Sequence, residues 1–495
     1  MKKIIFTLFI TGLIINYSFS QSAKKGSDPD KETEKKEYVS KGGFAEIPAA
    51  KRPKSMDKLK AEVAASKDES PETEEKNRNT ILYGTSVEVG DLLSTLIKNE
   101  DPRFTEEIYD LFQETQNSSI KQKVLQYFTK VEDPCLEDYA VELINDPYDE
   151  KNDVVNAAFE YIGAVKTKAA IPAVISIIES ENEAFFNAAV LCLGEIGGAE
   201  EAVFLAEYLE RDDLTLPQRQ TLMRICGKMH AIETYDLLVD VLENEDENTF
   251  VRMYAAESLG LMKTEKSIKV LKRNFDSTDP NLRQYIIKGI KNFPESKEAA
   301  SIIMQGIKDD HWKVRQESIK AASEMNLTSA VSTIIYRAKN DSEKVIKDEC
   351  YTALGQLNTP EGNKFLIQQI TDEKAGDNVK IKAVEVLLKN GTTGEKEILE
   401  LAEKMLKDDR RKNLRTAIGK ELAKYKRDSF AAICGQYLES KDVTTVSLGL
   451  DMYKIGKYPS VESKVRAIAG DKKANASNKK RAMKMLGIED TPSEK

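Results

Sequence analysis

The sequence contains few of the residues that most enzymes use at their catalytic centres. Among 495 residues there are two histidines, five cysteines and one tryptophan. His230 and His311 are far apart, and we find no GxSxG, no HExxH and no glycine-rich phosphate loop. The cysteines are odd in number and widely spaced, which argues against a disulfide framework and favours small buried side chains. We therefore expect no catalytic residues, no metal ligands and no cofactor.

Long apolar runs are also rare, and the one that stands out lies at the start of the chain. Lys2 and Lys3 precede the apolar stretch 4–15, which is too short for an ordinary membrane span, and small residues follow it. This pattern predicts a signal peptide over residues 1–20, cleaved before Gln21, and its style is bacterial. We expect an exported protein, periplasmic in a bacterium with two membranes, with an uncleaved anchor as the alternative.

Strand signals are absent, and a helical pattern instead recurs along the chain at nearly constant spacing. Its clearest copy is the run VRMYAAESLG at 251–260, and we take Gly260 as the marker position of that copy. The equivalent positions are separated by 31 to 35 residues, with a mean of 32.5. They are Thr129, Gly163, Gly194, Gly227, Gly260, Lys291, Ser323, Gly355, Leu388, Ala423, Ile455 and Gly487. A constant period of this length predicts a repeat array, a class of protein that mostly binds other molecules.

Three columns are apolar in at least ten of the twelve copies, at nine, five and one residues before the marker, as in Val251, Ala255 and Leu259. These spacings place the three side chains on one side of an α-helix, which we call the marker helix. A short turn and a further apolar segment follow each marker, for example at 170–178 and 201–209. Because one helical hairpin cannot bury its apolar side alone, neighbouring units must stack.

The pattern resembles HEAT repeats, in particular the short HEAT-like repeats first grouped with phycobilisome lyases. The resemblance is carried by VRMYAAESLG at 251–260 and by NAAVLCLGEIGGAEEA at 187–202, and it extends over residues 85–490. It implies an all-α fold, an α-solenoid of about twelve stacked two-helix repeats in a right-handed superhelix. It also implies that the second helix of each pair lines the concave groove.

The chain divides into four predicted segments. They are the signal peptide at 1–20, a disordered charged tail or linker at 21–79, the repeat solenoid at 80–490 and a C-terminal tail at 491–495. Charge changes along the solenoid: residues 80–250 carry a net charge of −23 and residues 404–495 a net charge of +10. The ends could therefore contact oppositely charged partners or copies of the chain, or the charge could simply be solvated.

Two polar columns accompany the apolar ones. Seven residues before the marker the chain carries amides: Gln122, Asn156, Asn187, Gln220, Gln284 and Gln316. By the resemblance these amides line the groove, where each offers a donor and an acceptor to an extended backbone, although a merely solvated polar side is the alternative. Eight residues before the marker the chain is basic: Lys121, Arg219, Arg252, Arg283, Arg315, Lys347, Lys380, Arg415 and Lys479. In HEAT families this column bridges to acidic residues near the turns, with Asp246, Asp279, Asp310, Asp341 and Asp377 as candidates here.

We expect a non-enzymatic exported scaffold or adaptor that binds a protein partner through the groove or the charged ends. A module for cell-wall polysaccharide or envelope lipid is the alternative, and a lyase-like enzyme is a further one that the absence of any pigment system disfavours. Nucleic acid is not expected as a partner of an acidic exported protein, while contact with the envelope stays open, as does the oligomeric state.

Overall fold

The computed structural model describes residues 71–180 and 182–488, and within those residues the secondary structure is helical. The predicted signal peptide, most of the predicted tail and residues 491–495 lie outside the described residues. The first helix begins at Pro71, so it spans the boundary predicted at residue 80. None of the described helices is long and apolar enough to cross a membrane.

The described residues form twenty-six α-helices in thirteen pairs, one pair more than the twelve marker positions. The first helices of the pairs are α1 (Pro71–Tyr83), α3 (Thr105–Glu114), α5 (Glu137–Asn145), α7 (Ile171–Glu179), α9 (Ala199–Leu209), α11 (Tyr235–Glu243), α13 (Glu265–Asn274), α15 (Lys297–Gly306), α17 (Val331–Asn340), α19 (Pro360–Thr371), α21 (Glu395–Leu406), α23 (Ala431–Leu438) and α25 (Glu462–Gly470). The second helices are α2 (Ser86–Asn99), α4 (Ser118–Val131), α6 (Asn152–Val165), α8 (Phe186–Ile196), α10 (Leu216–Lys228), α12 (Thr249–Leu261), α14 (Pro280–Ile290), α16 (Trp312–Glu324), α18 (Lys344–Leu357), α20 (Asp377–Lys389), α22 (Lys412–Leu422), α24 (Val443–Gly456) and α26 (Ala476–Met485). The additional pair is α1 and α2.

The marker helices are the second helices of the pairs, and each packs on the first helix before it and on the marker helix of every neighbouring pair that the structure describes. The predicted apolar columns form the core, since Val251, Ala255 and Leu259 are all buried. The fold is therefore the predicted all-α solenoid of stacked two-helix repeats.

Glycine at the marker allows neighbouring marker helices to approach closely. A Cβ atom added at Gly260 of α12 would lie only 2.2 Å from the Cα atom of Gly289 in α14. One at Gly227 of α10 would lie 2.6 Å from the Cα atom of Ser258, whose hydroxyl donates a hydrogen bond of 2.7 Å to the carbonyl of Met223. In both contacts the backbones of neighbouring marker helices touch directly. The markers of these repeats therefore have no room for a side chain.

A left-handed residue ends most marker helices, usually three residues after the marker. These residues are Glu100, Glu132, Lys166, His230, Lys263, Asn326, Asn358 and Lys457, with φ between 44° and 63°. The next amide then bonds back to the helix, as from Ala231 N–H to the Cys226 carbonyl at 2.9 Å. Lys457 comes only two residues after the predicted marker Ile455, and Ile455 is exposed while Tyr453 is buried. The register predicted for this repeat is therefore wrong by one residue, and its marker is Lys454.

Candidate functional site: the marker-helix face

The six predicted amides lie on one side of their marker helices, and each is half-buried. We define the marker-helix face as the side chains that lie eleven or ten, seven, six and three residues before the marker, because these spacings bring them to one side of a helix. The amides of α4, α6, α8 and α10 occupy successive pairs, Met253 replaces the amide in α12, and Gln284 and Gln316 continue the column in α14 and α16.

Two of these amides make contacts between repeats. The Gln284 Nε2 atom lies 3.4 Å from the Glu317 Oε2 atom on the next marker helix, and Gln316 Nε2 lies 3.3 Å from Glu349 Oε2 in the same way. The Oδ1 atom of Asn187 is buried without a hydrogen-bond partner in the part of the chain that the structure describes. The column thus contains amides that link repeats and one buried acceptor without a partner among the described residues.

Exposed apolar side chains mark the beginning of several marker helices on the same face. Leu216, Phe250, Trp312 and Val345 lie in the first turn of α10, α12, α16 and α18, and Phe250 is 57% exposed. Trp312 also stacks on His311, with ring centroids 6.1 Å apart. Large apolar side chains at equivalent places in neighbouring repeats form a patch of the kind that binds partners.

Two tyrosines lie beside this patch, six residues before the markers of α12 and α14. The rings of Tyr254 and Tyr285 meet edge to face, with centroids 5.6 Å apart, and the Lys288 ammonium is 3.7 Å from the Tyr285 ring centroid. Both tyrosines are half-buried, and burial raises the pKa of Tyr254. The Tyr254 phenol is therefore neutral at pH 7, and the two rings present an amphipathic surface in the middle of the array.

A family model for spirochaete HEAT repeat proteins matches residues 81–485 of this array. The chain belongs to that family. No match emerges among curated proteins.

Several solved structures are similar to the HEAT array at low identity. They include Kap121p, with 11% identity over 86% of this chain and 56% of that chain and a TM-score of 0.39. The CpcE–CpcF complex of phycocyanin lyase from Nostoc sp. PCC7120 has 14% identity over 58% of this chain and 93% of that chain, with a TM-score of 0.28. Human deoxyhypusine hydroxylase has 14% identity over 57% and 95%, with a TM-score of 0.24. The chain thus corresponds to about half the length of Kap121p, and identities this low bear on the fold alone.

The basic column of the HEAT array lies beside the marker-helix face and joins one repeat to the next. The Arg283 guanidinium forms two hydrogen bonds of 2.8 Å to the Asp309 carboxylate, and Arg315 forms two of 2.8 Å to Asp341. Burial by itself raises the pKa of Asp341, but the hydrogen bonds from Arg315 and from the backbone outweigh it and hold that pKa below its usual range. The partner carboxylate follows the next first helix, so each pair fixes the contact between two repeats.

The rest of this column makes less regular contacts. Arg252 Nε donates to the Leu242 carbonyl at 3.0 Å, and the buried Lys380 ammonium donates to the Ile370 carbonyl at 2.9 Å. Arg219 lies 3.6 Å from Glu247, and the buried Arg415 lies 3.3 Å from Asp409. Lys121 pairs with Glu150, while Lys347 and Lys479 are half-buried.

Of the five predicted acidic partners, Asp341 alone accepts side-chain hydrogen bonds from the basic column among the contacts of the described residues. Asp310 instead offers its backbone carbonyl to Arg315 at 2.9 Å, Asp279 caps α14 and Asp377 lies 3.4 Å from Arg411. Asp246 makes a turn with its backbone amide bonded to Asn244. The predicted bridge is therefore correct at Asp341, and Arg283 bonds to Asp309 in the same turn as the predicted Asp310.

The two histidines contact the backbone or cap a helix, and Cys192 and Cys226 are buried. His230 Nδ1 lies 3.1 Å from the Met262 carbonyl, and the ring of His311 accepts a hydrogen bond from Lys313 N–H at the start of α16. Burial raises the pKa of Cys192 and Cys226 to about 12, so these thiols stay protonated at neutral pH. Within residues 71–180 and 182–488, no group of three or more metal-ligating side chains comes together.

Sequence patterns missed several residues of the marker-helix face. Leu216, Phe250 and Val345 were not expected to be exposed, and the tyrosine pair was not expected at all. The spacing could have indicated these residues, because each apolar residue lies ten or eleven residues, and each tyrosine six residues, before its marker. This indication was hidden because an apolar residue in a helical repeat is ordinarily buried in the core.

Proposed function

We propose that this HEAT repeat protein is a non-enzymatic exported scaffold that binds a protein partner along the marker-helix face. The proposal depends above all on one observation, the exposed apolar side chains of Leu216, Phe250, Trp312 and Val345 at equivalent places in four of five successive repeats. This recurrence suits an elongated partner that contacts several repeats.

The polar groups beside the patch support a polypeptide as that partner. Half-exposed amides such as Gln220 and the tyrosine pair alternate with the apolar residues along the array. A polypeptide offers both apolar side chains and backbone donors and acceptors, and interfaces typically combine an aromatic centre with a polar rim. A purely polysaccharide ligand would use the rings and amides but leave Leu216 and Val345 without apolar partners.

The non-enzymatic part of the proposal is supported by the roles that potential catalytic groups already have. Both histidines contact the backbone, and the buried thiols have raised pKa values. Export and a periplasmic location are supported by the predicted signal peptide at 1–20. N-terminal sequencing of the protein from its own cells would test cleavage before Gln21.

Site-specific photocrosslinking in living cells tests the binding face. A photoreactive residue at position 250 or 345 is expected to capture one and the same protein, and Tyr254→Ala combined with Tyr285→Ala is expected to weaken that capture. The matched control places the probe at Tyr148, which is exposed but precedes α6 away from the marker-helix face. Equal capture at position 148, or none at 250 and 345, would contradict the proposal.

A further inference from the structure

The first end of the described array carries an exposed apolar patch. Leu82, Tyr83 and Val87, at the turn between α1 and α2, are 51%, 82% and 73% exposed. Arg78 lies 3.1 Å from Glu107 of α3, which shows that this side of α1 faces the second repeat. Helical spacing then places Glu72 and Tyr83 on the opposite side of α1, away from the array.

A recess of about 650 Å³ opens beside this patch. It is lined by Glu72, Glu75, Asn79, Tyr83 and Glu88, together with Lys76 and the turn residues. Glu88 accepts hydrogen bonds of 2.9 Å from the backbone and the hydroxyl of Thr85, which lower its pKa and keep it ionised. The recess is thus acidic, with an aromatic ring at its edge.

The last described helix pair has the opposite character. On α26, Arg481 contacts Asp451 at 2.5 Å and the Asn478 amide donates to the Val443 carbonyl at 3.0 Å, so this side faces α24. Lys480 and Met483 project from the other side, with Lys480 exposed and Met483 half-buried. Lys484 and Ile488 are exposed next to them.

We propose that copies of this chain associate head to tail, with the basic end of one copy, around Lys480 and Lys484, in the acidic recess of the next. Each end combines a net charge with exposed apolar side chains, and the two net charges are of opposite sign. Because the two surfaces differ and lie at opposite ends of the array, the contact is heterologous and continues into longer assemblies.

Electrostatics favour a second copy over the chain's own preceding residues as the occupant of the recess. Residues 404–495 carry a net charge of +10, whereas residues 21–70 carry 12 basic and 10 acidic side chains. Salt screens exposed charges beyond about 8–10 Å. The contact must therefore be made by the end residues themselves, and its strength must fall with added salt.

Charge reversal at each end tests the contact on the purified full chain by sedimentation velocity. The native chain is expected to self-associate at about 20 mM salt and to dissociate at about 300 mM. Glu72→Lys with Glu75→Lys, and separately Lys480→Glu with Lys484→Glu, are each expected to weaken association about tenfold or more, because like charges then meet. Mixing the two variants is expected to restore association, since each again meets its opposite charge.

The control reverses two exposed acidic residues in the middle of the array, Glu207→Lys with Asp240→Lys, and is expected to associate like the native chain. Circular dichroism shows whether each variant keeps its helices. A chain that is monomeric at every salt concentration, which coverage of the recess by residues 21–70 predicts, would overturn the proposal. So would association that mixing does not restore, or that the central control weakens equally. The measurement needs no partner and is independent of the crosslinking test.

Discussion

Arg315→Ala removes the most buried guanidinium–carboxylate contact between two repeats. The Arg315 side chain is 8% exposed and that of Asp341 is fully buried, and two hydrogen bonds of 2.8 Å join them. Arg315 also donates to the carbonyls of Asp309 and Asp310 at 3.0 and 2.9 Å. The variant therefore leaves a buried carboxylate and two carbonyls without their donor.

Removing one partner of a buried ion pair typically costs about 3–5 kcal/mol, because the other charge stays buried. Asp341 keeps Arg337 at 3.7 Å and the Glu343 N–H at 3.0 Å, so we expect the lower end, about 3 kcal/mol. In a repeat array each interface contributes separately to stability. The loss should therefore fall on the contact between α16 and the α17–α18 pair rather than on the whole chain.

Hydrogen exchange resolved by helix measures this loss. Protection in α16, α17 and α18 should fall by about two orders of magnitude, since 1.4 kcal/mol corresponds to a factor of ten. The matched control is Arg273→Ala, which breaks a largely exposed pair with Glu243 and should cost about 0–1 kcal/mol. Equal losses in the two variants, or a uniform loss along the array, would refute the argument.

Three further predictions follow from packing and protonation. Gly260→Val should lower the thermal midpoint because its Cβ meets the backbone of Gly289, whereas Gly470→Ala, with open space around it, should not. Asp309→Asn should destabilise the array at pH 7, and the difference from the native chain in urea should shrink as the pH falls below about 4. The sign follows because hydrogen bonds from Arg283 and from the backbone outweigh burial and lower the folded-state pKa of Asp309, so its stabilisation is lost as the pH drops through that value. Cys226 should resist iodoacetamide at pH 8 until the chain is unfolded, because burial raises its pKa to about 12.

The sequence predicted the parts of this fold that depend on one helix at a time. The columns through Val251, Ala255 and Leu259 are buried because residues three or four apart lie on the same side of a helix. That period is visible in a sequence. The pair α1–α2 was missed because it is the first of the array and its polar first helix lacks an apolar pattern. The shifted register at Lys454 was missed because the repeat spacing assigns the marker to the apolar Ile455. In the structure Ile455 is exposed, and the marker is Lys454.

Contacts between repeats were much harder to predict. The basic column was visible, and Asp341 was a correct candidate partner, but Arg283 bonds to Asp309 rather than to the neighbouring candidate Asp310. The 57% exposure of Phe250 runs against its apolar character, which by itself predicts burial. Binding by the amide column therefore stays a prediction, while the exposed apolar residues Leu216, Phe250 and Val345 were not predicted.

The left-handed turn after the marker helices shows where the information for this fold resides. Eight residues other than glycine adopt φ between 44° and 63°, a conformation that costs about 1–2 kcal/mol for a residue with a Cβ atom. Residues as different as Glu132, His230 and Asn326 share it, so the turn does not depend on one residue type. Backbone hydrogen bonds to the preceding helix, such as that from Ala231 N–H to the Cys226 carbonyl, stabilise it. Glycine at any one of these sites would relieve the backbone strain in that turn alone. Comparing the local stability of a series of such single variants would therefore show which repeat unfolds first.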